Sequence, residues 1–349
     1  PFYKSAIDLT FREAIRRGET VSTREIYTIP VVFHVVYNND AQNISDDVIY
    51  AQLNRMNEDF RRMNENAVET RPEFLDVAGD PMIEFVLATE DPNGNLTSGI
   101  THTYTDRSGF PYIDIWDMLT GEITLDDVKQ SSEGGVDAWD TSSYLNIWIC
   151  NIEESFLGQV LGFAYPPLDM GVVLDNLDDD SQPDWSLMEG QIPDESLQGV
   201  VVHYTTVGPG NPTAGDDGFS ENDLGRTIIH EVGHYLGLRH IWGDALFTDG
   251  CIEDDGISDT PYQNAASSFN CNHSINSCSD SPVDFPDMVE NYMDYSSDAC
   301  MNMFSVNQIA VMRAVLEFAR PGLIEGQTNE CLGGDLNGDE DINVLDVVL

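Results

Sequence analysis

Apolar and polar positions follow two rhythms along this chain, and their order predicts the architecture. Ile26 to Tyr37 (IYTIPVVFHVVY) is a β-branched and aromatic run, the make-up of a buried strand, with His34 packed inside it. Ile49, Leu53, Met56, Phe60 and Met63 then fall at spacings of four and three, which places one apolar stripe on a long helix. Ser45 opens that helix, and Asp46 and Asp47 sit in its first turn, where the positive end of the helix dipole favours carboxylates. Strand-like patterns return at Pro81–Glu90, Tyr144–Ile152, Leu157–Tyr165 and Gly199–Val207. Pro166-Pro167 closes the third of these, which suits a sheet edge, where a missing N–H does no harm.

Elsewhere the rhythm is weaker. Residues 8–17 read as a short amphipathic helix ended by Gly18. Between Asn93 and Asp140 little period survives: Asn93-Gly94 and Gly134-Gly135 mark turns, and Ile113–Leu119 reads as a short helix. A second long helix spans about Glu221 to Leu236 behind a capping-type start, Ser220-x-x-Asp223. Ser305 to Leu316 reads as a closing helix, with Ile309, Met312 and Leu316 on one face and Gln308 and Arg313 off it. Strand, helix, further strands and a second long helix predict an α+β fold, a mixed sheet with helices packed on it.

The chemistry lies on that second helix. His230 to His240 reads HEVGHYLGLRH. Residues four apart share a helix face, so His230 and His234 can reach one metal ion. Gly237 can take positive φ, end the helix and let the chain bring His240 back to the same ion. Three neutral nitrogens and one open position describe a catalytic zinc site, not a closed structural one. Glu231, beside the ligands, is placed to act on a water instead of binding the metal.

Charge narrows the partners. The 349 residues carry 15 Lys and Arg against 62 Asp and Glu, a net charge of −47. Such a surface repels nucleic acid and anionic lipid, so both are discounted as partners. Hydration in a salty medium and binding of divalent cations both fit the excess. No run of 18 apolar residues is present, so no membrane span is expected. The chain starts at Pro1 without a signal peptide, which suggests a trimmed mature form.

Six cysteines, four of them between Cys251 and Cys300, read as disulfides of a secreted protein; no Cys-x-x-Cys pair supports a cysteine zinc site. The fifty residues after the motif lose periodicity and turn acidic, so this part needs staples, for which disulfides and calcium are the natural candidates. Asp254, Asp259 and Thr260, with Asp244 and Asp255, are calcium-type oxygen donors, and a solvated acidic loop is the alternative. The same choice applies to Asp178-Asp179-Asp180, inside an acidic surface insertion from Val172 to Pro193.

The tail is a second constellation. Asp335, Asn337, Asp339, Asn343 and Asp346 place oxygen donors at positions 1, 3, 5, 9 and 12 of an EF-hand-type loop, with Asp341 at position 7. Glu340 stands where glycine is expected and Asp346 replaces the usual glutamate. This segment resembles the first repeat of a dockerin, which implies calcium and a cohesin-like partner. A disordered acidic tail is the other reading.

The motif followed by NYMDYS (Asn291–Ser296) resembles a metzincin with its Met-turn. More narrowly, LGRTIIHEVGHYLGLRHIWGD, the DTPYQ beyond Cys251, the four-cysteine cluster and NYMDYSSDACMNMFS resemble the pappalysin group of metzincins. The resemblance covers most of residues 26 to 320 and implies a secreted zinc endopeptidase with a twisted mixed five-stranded sheet and an irregular, disulfide-stapled C-terminal subdomain. It implies zinc on His230, His234 and His240, and Glu231 as general base. It puts Met293 in the floor beneath the metal and Tyr295 beside the oxyanion. The edge strand around Leu161 to Tyr165 would pair with an extended substrate. The resemblance further implies the bridges Cys251–Cys278 and Cys271–Cys300, calcium near the post-motif loop, and a preference for Arg or Lys just after the scissile bond. Asp298 is then the candidate base of that pocket, with Asp294 second. Cys150 and Cys331, left over, are expected to pair.

These readings divide the chain into an N-terminal segment 1–25, a catalytic domain 26–330 (upper part 26–236, lower part 237–330) and the tail 331–349. The expected partner is a protein or peptide substrate, and the expected state a monomer. A non-catalytic, calcium-dependent adhesion protein is the rival class, and the intact Glu231 argues against it. A zinc enzyme acting on a non-peptide amide is a third reading, against which the edge strand speaks.

Overall fold

The sheet is hung on one strand, β1 (Tyr27–Tyr37), eleven residues long. The computed structural model describes residues 25–112, 124–154, 158–185, 195–216, 218, 221–243, 251–252, 254–279 and 283–324. Along β1, two short parallel strands pair in succession. They are β2 (Ile83–Leu87), beside Tyr27–Val31, and β3 (Ile100–Tyr104), beside Phe33–Tyr37. Also parallel to β1 is β4 (Leu145–Cys150), with Val31 opposite Leu145 and Val35 opposite Ile149. The order continues outward through β5 (Gly162–Ala164) and β6 (Val200–His203): β6 lies parallel to β4, and β5 antiparallel to β6 at the edge. The mixed sheet thus has five ranks built from six strands, because β2 and β3 share one rank. β3 (ITHTY) carries too few apolar residues to stand out in the sequence.

Both faces of the sheet are covered, as a largely parallel sheet requires. Ile29, Val31, Phe33, Val35, Ile147, Ile149, Val200 and Val202 share one core with the two long helices. Val36, Trp148, Cys150 and Val201 form a second with Phe110, Leu125 and Val128. The stretch without periodicity therefore supplies the cover for the outer face.

Helix α1 (Asp46–Phe60) buries Val48, Ile49, Gln52, Met56, Asp59 and Phe60. It ends earlier than its stripe suggests. Arg62 takes a φ of 46°, the chain turns away, and Met63 is 62% exposed instead of buried. Helix α2 (Arg226–Tyr235) starts after Gly225, not behind Ser220-x-x-Asp223. Ser220 lies outside the described residues. The physical reason is non-local: the Asp298 carboxylate accepts hydrogen bonds from the backbone N–H of Leu224 (2.9 Å) and Arg226 (3.2 Å), so the cap comes from a distant residue. Arg226 also pairs with Asp59 of α1 (Nε–Oδ2 3.1 Å), and both side chains are buried.

His34 is a packed strand histidine. Its Nδ1 lies 2.9 Å from Thr101 Oγ1 and its Nε2 3.0 Å from Asn146 Oδ1, and burial pushes its pKa down to about 4.

The lower half is held by cross-links. Cys251 bonds Cys278 and Cys271 bonds Cys300, the pairs that the family resemblance implies. Cys150 is buried in β4 and bonded to no described cysteine; Cys331 lies outside the described residues. Arg71 grips Glu290, just ahead of the NYMDYS segment, with Nη2–Oε2 at 2.7 Å. Helix α3 (Val306–Ala314) begins with a reciprocal capping box between Ser305 and Gln308. Gln308 is not on an outer face: it is fully buried, and its Oε1 accepts a hydrogen bond from Asn291 Nδ2 at 2.8 Å. The helices expected at 8–17 and 113–119 and the tail 331–349 lie outside the described residues.

Candidate active site

Helix α2 presents His230 and His234 one turn apart and ends where Gly237 takes a φ of 88°. Leu238 N–H then donates to the Gly233 carbonyl (3.0 Å), and the reversed chain delivers His240. A side chain at Gly237 would be strained there, and its Cβ would lie 2.9 Å from Val315.

The three histidines converge. Nε2 of His230 lies 3.0 Å from Nε2 of His234 and 3.1 Å from that of His240, and the His234–His240 distance is 3.1 Å. Between His230 and His234 the contact is not a hydrogen bond. Nδ1 of His230 faces the Tyr292 carbonyl at 2.7 Å, and Nδ1 of His234 faces the Leu238 carbonyl at 2.8 Å. A carbonyl only accepts, so in both rings Nδ1 carries the proton and Nε2 a bare lone pair. Lone pairs this close repel unless a cation lies among them. Tetrahedral zinc at 2.0–2.1 Å from each nitrogen would hold them about 3.3 Å apart, so the residues fit that ion.

Several groups back the triad. Met293 lies against Gly233 from below: a Cβ at that glycine would run into the Met293 sulfur. Met293 is itself held through its N–H to Asn291 Oδ1 (2.8 Å). Trp242 stacks on His240, with centroids 4.3 Å apart and planes at 10°. The Tyr295 ring, 39% exposed, stands 4.7 Å from His240, 5.3 Å from His230 and 4.9 Å from Trp242. Asp294 turns inward: its Oδ1 accepts from the N–H groups of Tyr295 (2.8 Å) and Ser267 (3.0 Å), which supports Tyr295, and its Oδ2 is buried with no hydrogen-bond partner among the described residues.

Glu231 is buried against the edge strand: a Cβ at Gly162 would meet its Oε1 at 2.5 Å. Burial pushes its pKa up to about 8, and a divalent cation nearby acts in the opposite direction.

Asp298 divides its carboxylate between two tasks. Oδ2 receives the N–H groups that open α2, whereas Oδ1 is buried with no hydrogen-bond partner among the described residues. Burial raises its pKa to about 6.

In the acidic stretch, Asp259 uses both oxygens to anchor the start of α3, on Ser305 Oγ (2.6 Å) and Asn307 N–H (2.9 Å). Asp254 Oδ1 accepts from Gly256 N–H (3.0 Å). Thr260 Oγ1 donates to Asp255 Oδ1 (2.9 Å), and Asp255 Oδ2 is buried without a partner among the described residues. Among these carboxylates Asp255 is the one with a buried oxygen left without a hydrogen-bond partner among the described residues. The tail donors Asp335, Asn337, Asp339, Asp341 and Asp346 lie outside the described residues. Arg226, Trp242 and Gly162 are supports to which the sequence reading assigns no role: Arg226 meets Asp59, Gly162 meets Glu231, and Trp242 meets Tyr295 as well as His240, contacts that only the fold creates.

Comparisons with known proteins agree with this geometry. The family described as Pregnancy-associated plasma protein-A matches residues 213–317. An extracellular metalloprotease of Arthroderma benhamiae is 28% identical over 80% of this chain and 74% of its own length. One from Pyricularia oryzae is 27% identical over 89% of this chain and 82% of its own. Mature mirolysin of Tannerella forsythia, solved in complex with a cleaved peptide, superposes with a TM-score of 0.69. It is 38% identical and covers 86% of this chain and 96% of its own. A promirolysin mutant of the same organism also gives 0.69, at 36% identity over 92% and 91%.

Proposed function

The chain belongs to the pappalysin family of metzincin metalloendopeptidases, and on that premise we propose that it is a secreted zinc enzyme that cuts extended protein substrates before arginine or lysine. The observation that carries the reading is the convergence of three imidazole Nε2 atoms beside Glu231, beneath a sheet edge. His230, His234 and His240 hold the ion. Zinc, when bound there, activates water near neutral pH and polarises the scissile carbonyl. Glu231 takes the proton from the attacking water and passes it to the leaving amine. Its contact with Gly162 places this base directly against β5, the strand on which an extended peptide pairs. The Tyr295 hydroxyl approaches the carbonyl oxygen and shares its developing charge. The names of the fungal relatives support a secreted setting.

Asp298 supplies the preference. A guanidinium or ammonium reaching Oδ1 would satisfy a buried oxygen that now lacks a donor. Cleavage of a peptide library, mapped by mass spectrometry, is expected to cluster before Arg and Lys and to stop with a zinc chelator. Asp298→Asn keeps an oxygen for the helix start and is expected to lower cleavage before Arg and Lys by about 10- to 100-fold, with other sites little changed. Equal losses at every site would remove Asp298 from the pocket.

We also assign calcium to the acidic stretch, with Asp255 Oδ2 as the anchoring oxygen and Asp254 and Thr260 as further candidate donors. Calcium is expected to raise the melting temperature by several degrees, and Asp255→Asn to abolish that rise. Calcium binding at Asp335–Asp346 and a cohesin-like partner for the tail belong to the same proposal.

A further inference from the structure

The strand nearest Glu231 is also among the least supported. β5 has three residues and pairs, among the described residues, with β6 alone. So short a ladder fixes the height of the strand poorly, yet Gly162 lies directly against the Glu231 carboxylate. What stands behind the strand therefore matters.

Alternation sends Ala164 into the core shared with α2 and Phe163 to the opposite face. There the Phe163 ring meets Tyr112 (5.4 Å) and Tyr165 (4.7 Å). Between these rings and the outer core lies Lys129, whose side chain is 0% exposed. Its Nζ is 2.8 Å from Asp126 Oδ1 and donates to the Leu197 carbonyl at 2.7 Å. It also stands 4.8 Å from the Tyr165 ring centroid and 5.6 Å from that of Phe163. The second Asp126 oxygen accepts the Tyr165 hydroxyl at 2.6 Å. One buried ammonium thus ties the turn Thr124–Lys129, the chain entering β6, Phe163 of β5 and Tyr165 just beyond it.

Such a pair is a poor device for stability alone. Taking both charges out of water costs about as much as their attraction returns, and apolar residues of the same volume often serve as well. Directional bonds do what apolar packing cannot: they set one distance and one orientation.

We propose that Lys129 and Asp126 are positioning residues that hold β5 at the height and register at which an extended substrate pairs with it. This rests on the reading of β5 as the substrate strand.

The test uses two fluorogenic peptides with the same scissile bond and the same residues after it. One has four residues before the bond, the other a single blocked residue. The wild-type enzyme is expected to bind the long peptide better. Lys129→Met is expected to raise KM for the long peptide about tenfold with kcat nearly unchanged, the mark of lost uniform binding. For the short peptide, kcat/KM is expected to stay within about twofold. Equal losses on both peptides, or no loss on either with a folded variant, would overturn the proposal. If Lys129→Met does not fold, Tyr165→Phe, which removes one hydroxyl, is read in the same way with an expected rise of about threefold in KM for the long peptide. A wild-type enzyme indifferent to length would sink the substrate-strand reading itself, and this proposal with it.

Discussion

Replacing Glu231 by glutamine is expected to lower peptide turnover by about 10²–10⁴-fold while zinc stays bound at one ion per chain. The substitution preserves shape and burial, so the contact with Gly162 and the three histidines is not disturbed. What it removes is the group that can accept and return a proton. Casein or peptide turnover, measured beside metal content, separates the outcomes. Near-wild-type cleavage would deny Glu231 the role of base. Lost zinc would show instead that Glu231 supports the metal, which its burial against β5 does not suggest.

The second large effect concerns the root of the active-site helix. Arg226→Met leaves the buried Asp59 charge with only the longer contact to Arg55 (3.9 Å), and is expected to destabilise the protein by about 3–5 kcal/mol. Arg226 also reaches Asn66 (2.8 Å) and the Asp298 carbonyl, so one residue ties α1, α2 and the segment after the Met-turn. Removing both charges, as Arg226→Met with Asp59→Leu, is expected to recover most of the loss, because the orphaned charge disappears. Urea unfolding of the single and double variants decides. A double variant no more stable than Arg226→Met alone would mean that the cost is packing, not charge.

Features within a few residues of each other were legible in the sequence. The stripe of α1 and the His-Glu-x-x-His helix follow from spacing, and Gly237 from the need for positive φ. What was not legible depends on partners far along the chain. The start of α2 reads wrongly because its cap is 74 residues away, in Asp298. Met63 continues the stripe in register, but the chain has already turned at Arg62. Phe110, Leu125 and Val128 cover the outer face of the sheet from irregular backbone, so no period announces them. Lys129 would ordinarily be read as solvated, and only the folded chain shows it buried behind β5. In the candidate site, the motif marks the metal ligands, whereas Trp242, Arg226 and Gly162 emerge only from packing.

The divided carboxylate of Asp298 bears on how selectivity can change in descendants of this chain. One oxygen holds the first turn of the helix that carries His230 and His234, while the other is buried without a hydrogen-bond partner among the described residues and, on the proposed reading, is the one a substrate cation would meet. Most substitutions at this position would therefore unsettle the scaffold at the moment they altered preference. On that reading, drift or directed evolution toward new cleavage sites would be channelled into positions around the carboxylate that leave the helix start intact. If Asp298 sets the preference as proposed, selectivity is buttressed by architecture, and a laboratory seeking to redirect it should mutate around the carboxylate before mutating the carboxylate itself.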